Sequence, residues 1–172
     1  MKRALGFLLC VAPQFLVVAA VAAREEVALH SGVEVRLAVR PVDPMSLFSG
    51  RYVSVPLAIE RLDKSVAIEH GIESGQSVCV RLAPGTPCWS AAAVTRDPPR
   101  EPDAVFLRGT WLEEHHVSFG IDTYYFPEHG ADPSGHVLTL VVRVTHDGRG
   151  AIEDLLVGNQ TYAQWNAARK SR

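Results

Sequence analysis

Pro41 and Pro44 flank Val42-Asp43 between two apolar stretches and leave the backbone few options. Before them, Val33-Glu34-Val35-Arg36-Leu37-Ala38-Val39-Arg40 alternates apolar and polar residues, the pattern of a half-buried strand. Pro41 has no N–H to give to a ladder, so the strand ends there. Asp43-Pro44 opens a tight turn, the carboxylate accepting backbone N–H groups and the proline presetting φ. Met45 to Phe48 fits one helical turn with Leu47 and Phe48 turned inward. Gly50 takes a positive φ at little cost and releases the chain into a second strand, expected from Arg51 to Ile59. The stretch therefore reads as strand, pinned corner, strand.

The same segment carries a family resemblance. Strand, Pro-Val-Asp-Pro, Leu-Phe, Gly50 and then Tyr52-Val53 resembles the GDYXXLXY family, small bacterial membrane-anchored proteins of uncharacterised activity. Against the motif Gly-Asp-Tyr-x-x-Leu-x-Tyr this chain reads Gly50, Arg51, Tyr52, Val53, Ser54, Val55, Pro56, Leu57. Gly50 and Tyr52 match. Arg51 replaces the aspartate, Val55 the leucine and Leu57 the second tyrosine. The resemblance resumes, in order, at Val105-Phe106-Leu107-Arg108-Gly109, at Phe119 through Glu128 and at Leu155-Leu156-Val157. It implies a membrane-anchored domain and assigns no activity.

The N-terminus constrains location. Lys2 and Arg3 precede Ala4 to Ala23, a run without charge. About 20 residues make a helix about 30 Å long, enough to cross a hydrocarbon core. Ala20-Val21-Ala22 and Val21-Ala22-Ala23 supply small-residue exits for a cleaved signal peptide. Length and the family resemblance favour a retained anchor, although Pro13-Gln14 interrupts the run. Either way Lys2 and Arg3 stay inside and the rest of the chain is exported. The expected location is the inner membrane, single pass, with the C-terminal domain in the periplasm or outside the cell.

Residues 1–23 are thus the anchor or signal, 24–158 one β domain and 159–172 a tail, with Thr161 to Lys170 able to form a short helix bearing Tyr162 and Trp165 on one face. Without Lys2 and Arg3 the chain keeps 15 basic against 19 acidic residues, and its basic residues are scattered without interleaved aromatics. That balance gives no footprint for nucleic acid.

The domain reads as a series of short strands: Ser65 to Glu69, Val78 to Ala83, Cys88 to Val94, Val105 to Trp111, Val117 to Ile121, Asp122 to Phe126, Val137 to Val144 and Ala151 to Val157. Pro84-Gly85, residues 95–103, Gly130 to Gly135 and His146 to Gly150 are turns and loops. The fold class expected is mainly β, a single antiparallel β-sandwich or partly open barrel preceded by an N-terminal hydrophobic helix. A hairpin centred between Ala83 and Pro84 would set Cys79 opposite Cys88. Their Cβ atoms would lie about 4.5–5.5 Å apart, close enough for a disulfide with modest adjustment. An oxidising compartment favours that bond over two reduced, buried thiols.

Chemistry-bearing patterns are sparse. Seven histidines occur, but no His-x-His, His-Glu-x-x-His or Cys-x-x-Cys spacing, so no metal or other cofactor is expected. No Gly-x-Ser-x-Gly elbow occurs. Ser46 and Lys64 could be cast as a Ser-Lys pair, yet Lys64 follows Asp63 in an exposed turn, and a catalytic lysine needs burial. The expected role is non-enzymatic binding or assembly beside a membrane protein partner. The face assigned to it carries Asp43, Gly50, Arg51, Tyr52, Asp122, Tyr124 and Tyr125. The alternatives are an envelope hydrolase using Asp122 and Glu128 as acid and base, or a purely structural envelope protein.

Overall fold

The computed structural model describes residues 13–17, 19–21, 23, 32–40, 52–113, 115–125, 130–131, 133 and 135–170. The Asp43 corner, the 45–48 turn, Gly50, Arg51 and Glu128 lie outside the described residues. So does most of the uncharged N-terminal run. Its described part, residues 13–17, 19–21 and 23, is helical. Among the described residues no helix is long and apolar enough to cross a membrane.

The chain is mainly β, with a curled sheet that forms a half-barrel. Its strands are β1 (Val33–Ala38), β2 (Tyr52–Ser54), β3 (Ala67–Ile68), β4 (Ser77–Ala83), β5 (Ser90–Thr95), β6 (Phe106–Trp111), β7 (Val117–Ser118), β8 (Thr123–Tyr125), β9 (Leu138–Val144), β10 (Gly150–Val157) and β11 (Gln160–Thr161). A 3-10 turn covers Ala58–Glu60, and helix α1 covers Tyr162–Lys170. Among the described residues they form three sheets, ordered β1-β9-β10-β11, β2-β8 and β3-β5-β4-β6-β7.

Two seams join the larger sheets. On one side the Trp89 N–H donates to Arg36 O at 2.8 Å, beside a parallel bridge between Leu37 and Trp89. On the other, the Arg108 N–H donates to Gly148 O at 2.7 Å, tying β6 to the turn between β9 and β10. The two-strand ribbon β2-β8 sits at the end of β1, where Val39 bridges Leu57.

Alternation explains which faces are covered. In β1, Val35 and Leu37 are fully buried while Glu34 and Arg36 are exposed. β9 is the most apolar strand and is buried on both faces at Leu140, Val141 and Val142, while β1 and β10 pair with its two edges. Val35, Leu37, Leu140 and Val142 join Val55, Leu57, Val78, Val80, Leu107, Val117 and Leu155 in one cluster. Each such side chain stabilises the fold by about 1.5–3 kcal/mol relative to exposure.

Three expectations are corrected. The second strand ends at Ser54 instead of Ile59, since Pro56 cannot continue a ladder and a 3-10 turn follows it. One strand pair is parallel, β3 with β5. It is fixed by Glu69, whose carboxylate accepts the Arg96 backbone N–H at 2.9 Å and its guanidinium at 2.6 Å. Finally, Cys79 and Cys88 are free. The β4-β5 register pairs Cys79 with Thr95 and Ala83 with Ser90, so the hairpin centre lies beyond Gly85. The Cys79 thiol points to Arg96 O, 4.0 Å away, and Cys88 Sγ lies 3.9 Å from Thr139 Oγ1.

Candidate functional site

Val55, Pro56 and Leu57 are the hub. The Val55 N–H donates to Asp122 O at 2.7 Å. The Arg40 N–H donates to Pro56 O at 2.8 Å. The Leu57 N–H donates to Glu60 Oε2 at 3.1 Å, the carboxylate folding back over the first turn after Leu57. Asp122, Arg40 and Glu60 are thereby gathered around three consecutive residues.

Glu60 is only 6 % exposed. Its pKa is pushed up from 4.5 to about 7, chiefly by burial and then by the Asp122 carboxylate; the Leu57 N–H and the Arg40 guanidinium pull the other way with less effect. Among the described residues Arg40 Nε is buried without a hydrogen-bond partner. A carboxyl whose proton affinity is raised by burial is a pattern of acid–base chemistry. Here the burial of Glu60 keeps it from a substrate, so what the arrangement holds is a proton. No group of three or more His, Cys, Asp or Glu side chains gathers as a metal site would, among the described residues.

Beside the hub runs an open groove of about 600 Å³. One wall is Gly120, Ile121 and Thr123 to Tyr125, the other Gly150 to Ile152. Among the described residues β8 pairs with β2 alone, and Gly150 to Asp154 pairs with β9 alone. The groove runs between β8 and the first half of β10. Tyr125 is 73 % exposed. Tyr124 is half-buried, its phenol pKa raised mainly by burial, and its ring meets Tyr162 of α1 edge-on at 6.2 Å between centroids. Tyr162 in turn packs on Trp165 at 5.9 Å and donates its hydroxyl to Ala131 O at 2.7 Å. The short helix thus buttresses the groove wall from behind.

Of the residues assigned to a binding face, Tyr52 and Tyr125 are strand partners, and Tyr124 pairs with Val53. Asp122 lies at the entry to β8; its backbone O accepts the Val55 N–H, and the residue is exposed. Asp43, Gly50 and Arg51 fall outside the described residues, as does Glu128, the proposed acid–base partner of Asp122. The carboxylate that acts on Asp122's side of the hub is Glu60, which sequence reasoning passed over. The signal was present: a lone glutamate in the apolar run Val55-Pro56-Leu57-Ala58-Ile59, three residues past Leu57.

No curated protein and no solved structure matches the chain. A profile described as GDYXXLXY protein matches residues 14–155. That span contains strands β1 to β9 and most of β10, the Val55–Leu57 hub and both groove walls, and the chain belongs to the GDYXXLXY family.

Proposed function

We propose that this chain is a membrane-anchored extracytoplasmic β domain with a non-enzymatic binding or assembly role beside a membrane protein partner. In this reading the uncharged run from Ala4 to Ala23 forms an N-terminal hydrophobic helix held by Lys2 and Arg3, and it leads into a partly open, mostly antiparallel barrel outside the inner membrane. The observation that carries the role is the groove between β8 and β10. A groove with an exposed tyrosine at its rim suits a segment of another protein, the aromatic wall supplying apolar contact. A tether in the bilayer favours a partner in the same membrane, because it raises the local concentration of the two.

The experiment is crosslinking in intact cells, followed by affinity capture from membranes, with wild type and Tyr125→Ala. The wild type retains a membrane protein that Tyr125→Ala loses while keeping its thermal transition. Equal capture by both proteins removes the groove from the reading.

A further inference from the structure

The end of β4 frames a second pocket, of about 350 Å³, that shares no lining residue with the groove. β6 begins at Phe106, opposite Arg81, so Leu82 and Ala83 run on past its first residue. There the Leu82 N–H donates to Val105 O at 2.9 Å, and the Ala104 N–H closes a turn onto Glu101 O at 3.2 Å. On the β5 side the register slips between Arg81 and Leu82, and the Trp89 N–H donates to Arg36 O of β1 at 2.8 Å. Gly85 keeps the intervening loop tight, since a Cβ there would come within 2.6 Å of Cys88 O. Backbone bonds thus fix both sides of the pocket before anything enters it.

Four side chains bring chemistry to this space: Trp89, Arg81, Glu101 and Asp103. Trp89 packs against the core and also lines the pocket. Arg81 Nη1 stands 3.8 Å from Glu101 Oε1, an ion pair too long for a hydrogen bond. Among the described residues, the Asp103 carboxylate and the Trp89 indole N–H have no hydrogen-bond partner. Donors and acceptors line one space without satisfying each other.

We propose that this pocket binds a neutral polyhydroxyl ligand, a small saccharide unit, with Trp89 as its apolar floor. The mixed charge decides the class. An anion would meet Glu101 and Asp103, and a cation would meet Arg81. A hydroxyl both donates and accepts, so it takes a proton from the guanidinium or the indole and gives its own to a carboxylate. The C–H face of a pyranose is apolar and suits an indole, which offers an apolar face with a donor at its edge. The volume is at the lower end of small-ligand sites, about 300–1,000 Å³, and limits the occupant to a small unit. One basic and two acidic side chains leave the lining at −1, so a cation is the closer competitor. The site stands independently of the groove and of any partner bound there.

The test uses the full-length protein in a detergent without a sugar headgroup and follows the Trp89 indole N–H by NMR, its signal identified by its loss in Trp89→Phe. The neutral probes are methyl glucoside, maltose and diacetylchitobiose; inorganic phosphate and tetramethylammonium are the charged ones. At least one saccharide shifts the signal saturably, and neither ion does. Arg81→Gln and Asp103→Asn, both at exposed positions, keep the thermal transition and bind that saccharide about tenfold more weakly. No saturable shift with any of the saccharides, a saturable shift with either ion, or unchanged affinity in either variant overturns the proposal. Should Trp89→Phe fail to fold, the signal is assigned through its own backbone amide, and the two surface variants still decide.

Discussion

Gly148 lies against the ring of Phe106, so close that a Cβ on Gly148 would overlap Cε2 and come within 2.8 Å of Cδ2. Gly148 also has φ +82°, in the left-handed region. The turn between β9 and β10 is thus driven onto β6, where Gly148 O and Asp147 O accept the Arg108 backbone N–H and Nε, both at 2.7 Å. One glycine satisfies the turn's backbone and the seam between two sheets.

Gly148→Ala is therefore expected to destabilise the domain by about 2–4 kcal/mol, combining a positive φ with overpacking. Urea unfolding measures it. Making the same change in a Phe106→Ala background should cost less than in the wild type, because the clash is gone and only the backbone penalty remains. Equal costs in both backgrounds would refute the contact with the ring.

The turn's own hydrogen bonds give a second expectation. Asp147 accepts the Thr145 hydroxyl at Oδ1 and Arg149 Nε at Oδ2, the latter at 2.9 Å. The Thr145 bond is the main cause that holds its pKa down, from 3.8 to about 2. A depressed carboxylate stabilises the fold above its unfolded pKa, and that stability is lost as pH falls from 3.8 through about 2. Its side chain is 42 % exposed, so solvent screening reduces the effect. Asp147→Asn should cost about 1 kcal/mol at neutral pH and almost nothing at about pH 2. Unfolding curves at the two pH values test the sign.

The sheet seams mark the boundary of what was readable. Alternation in β1 and the continuous apolar run of β9 report their own burial, and strands β4, β6, β8, β9 and β10 fall within a few residues of the expected runs. Partners are another matter. Turn chemistry at Pro84-Gly85 gave a hairpin centre, but the loop extends through Cys88 because Trp89 is recruited by Arg36 O across the molecule. That shift moves Cys79 away from Cys88. The Glu60 hub was hidden for the same reason: a glutamate near a surface turn and one at a sheet junction look identical along the chain. Burial, which raises its pKa, is set by β1, β7 and the Asp122 segment, all distant in sequence.

The cysteine geometry yields a third prediction. With Cys79 opposite Thr95 and Cys88 beside Thr139, reductant should leave the thermal transition unchanged, and both thiols should react with a thiol reagent in urea without prior reduction. A transition lowered by dithiothreitol would restore the bridge, whose loop would contribute about 2–3 kcal/mol. Cys79 is buried and its thiol pKa is raised chiefly by desolvation, so in the folded protein it should react slowly with the same reagent.

Glu60 has the opposite sign to Asp147 and a different pH window, which lets the two be separated in one series of unfolding curves. Its folded pKa of about 7 lies above the 4.5 expected for the unfolded chain. Between those values the folded state binds the extra proton, so stability is fully present below pH 4.5 and declines as pH rises towards 7. The decline attributable to this residue is on the order of 3 kcal/mol, since each unit of pKa difference is worth about 1.4 kcal/mol. Glu60→Gln cannot ionise. It should match the wild type near pH 4.5, exceed it at pH 8, and remove the slope between them, while the loss below about pH 4 that belongs to Asp147 persists. Urea midpoints from about pH 2 to about pH 8 carry both signatures. A wild-type slope that survives in Glu60→Gln would mean that the charge cost at the Val55–Leu57 hub is met by water, and that Glu60 is less enclosed than its 6 % exposure implies.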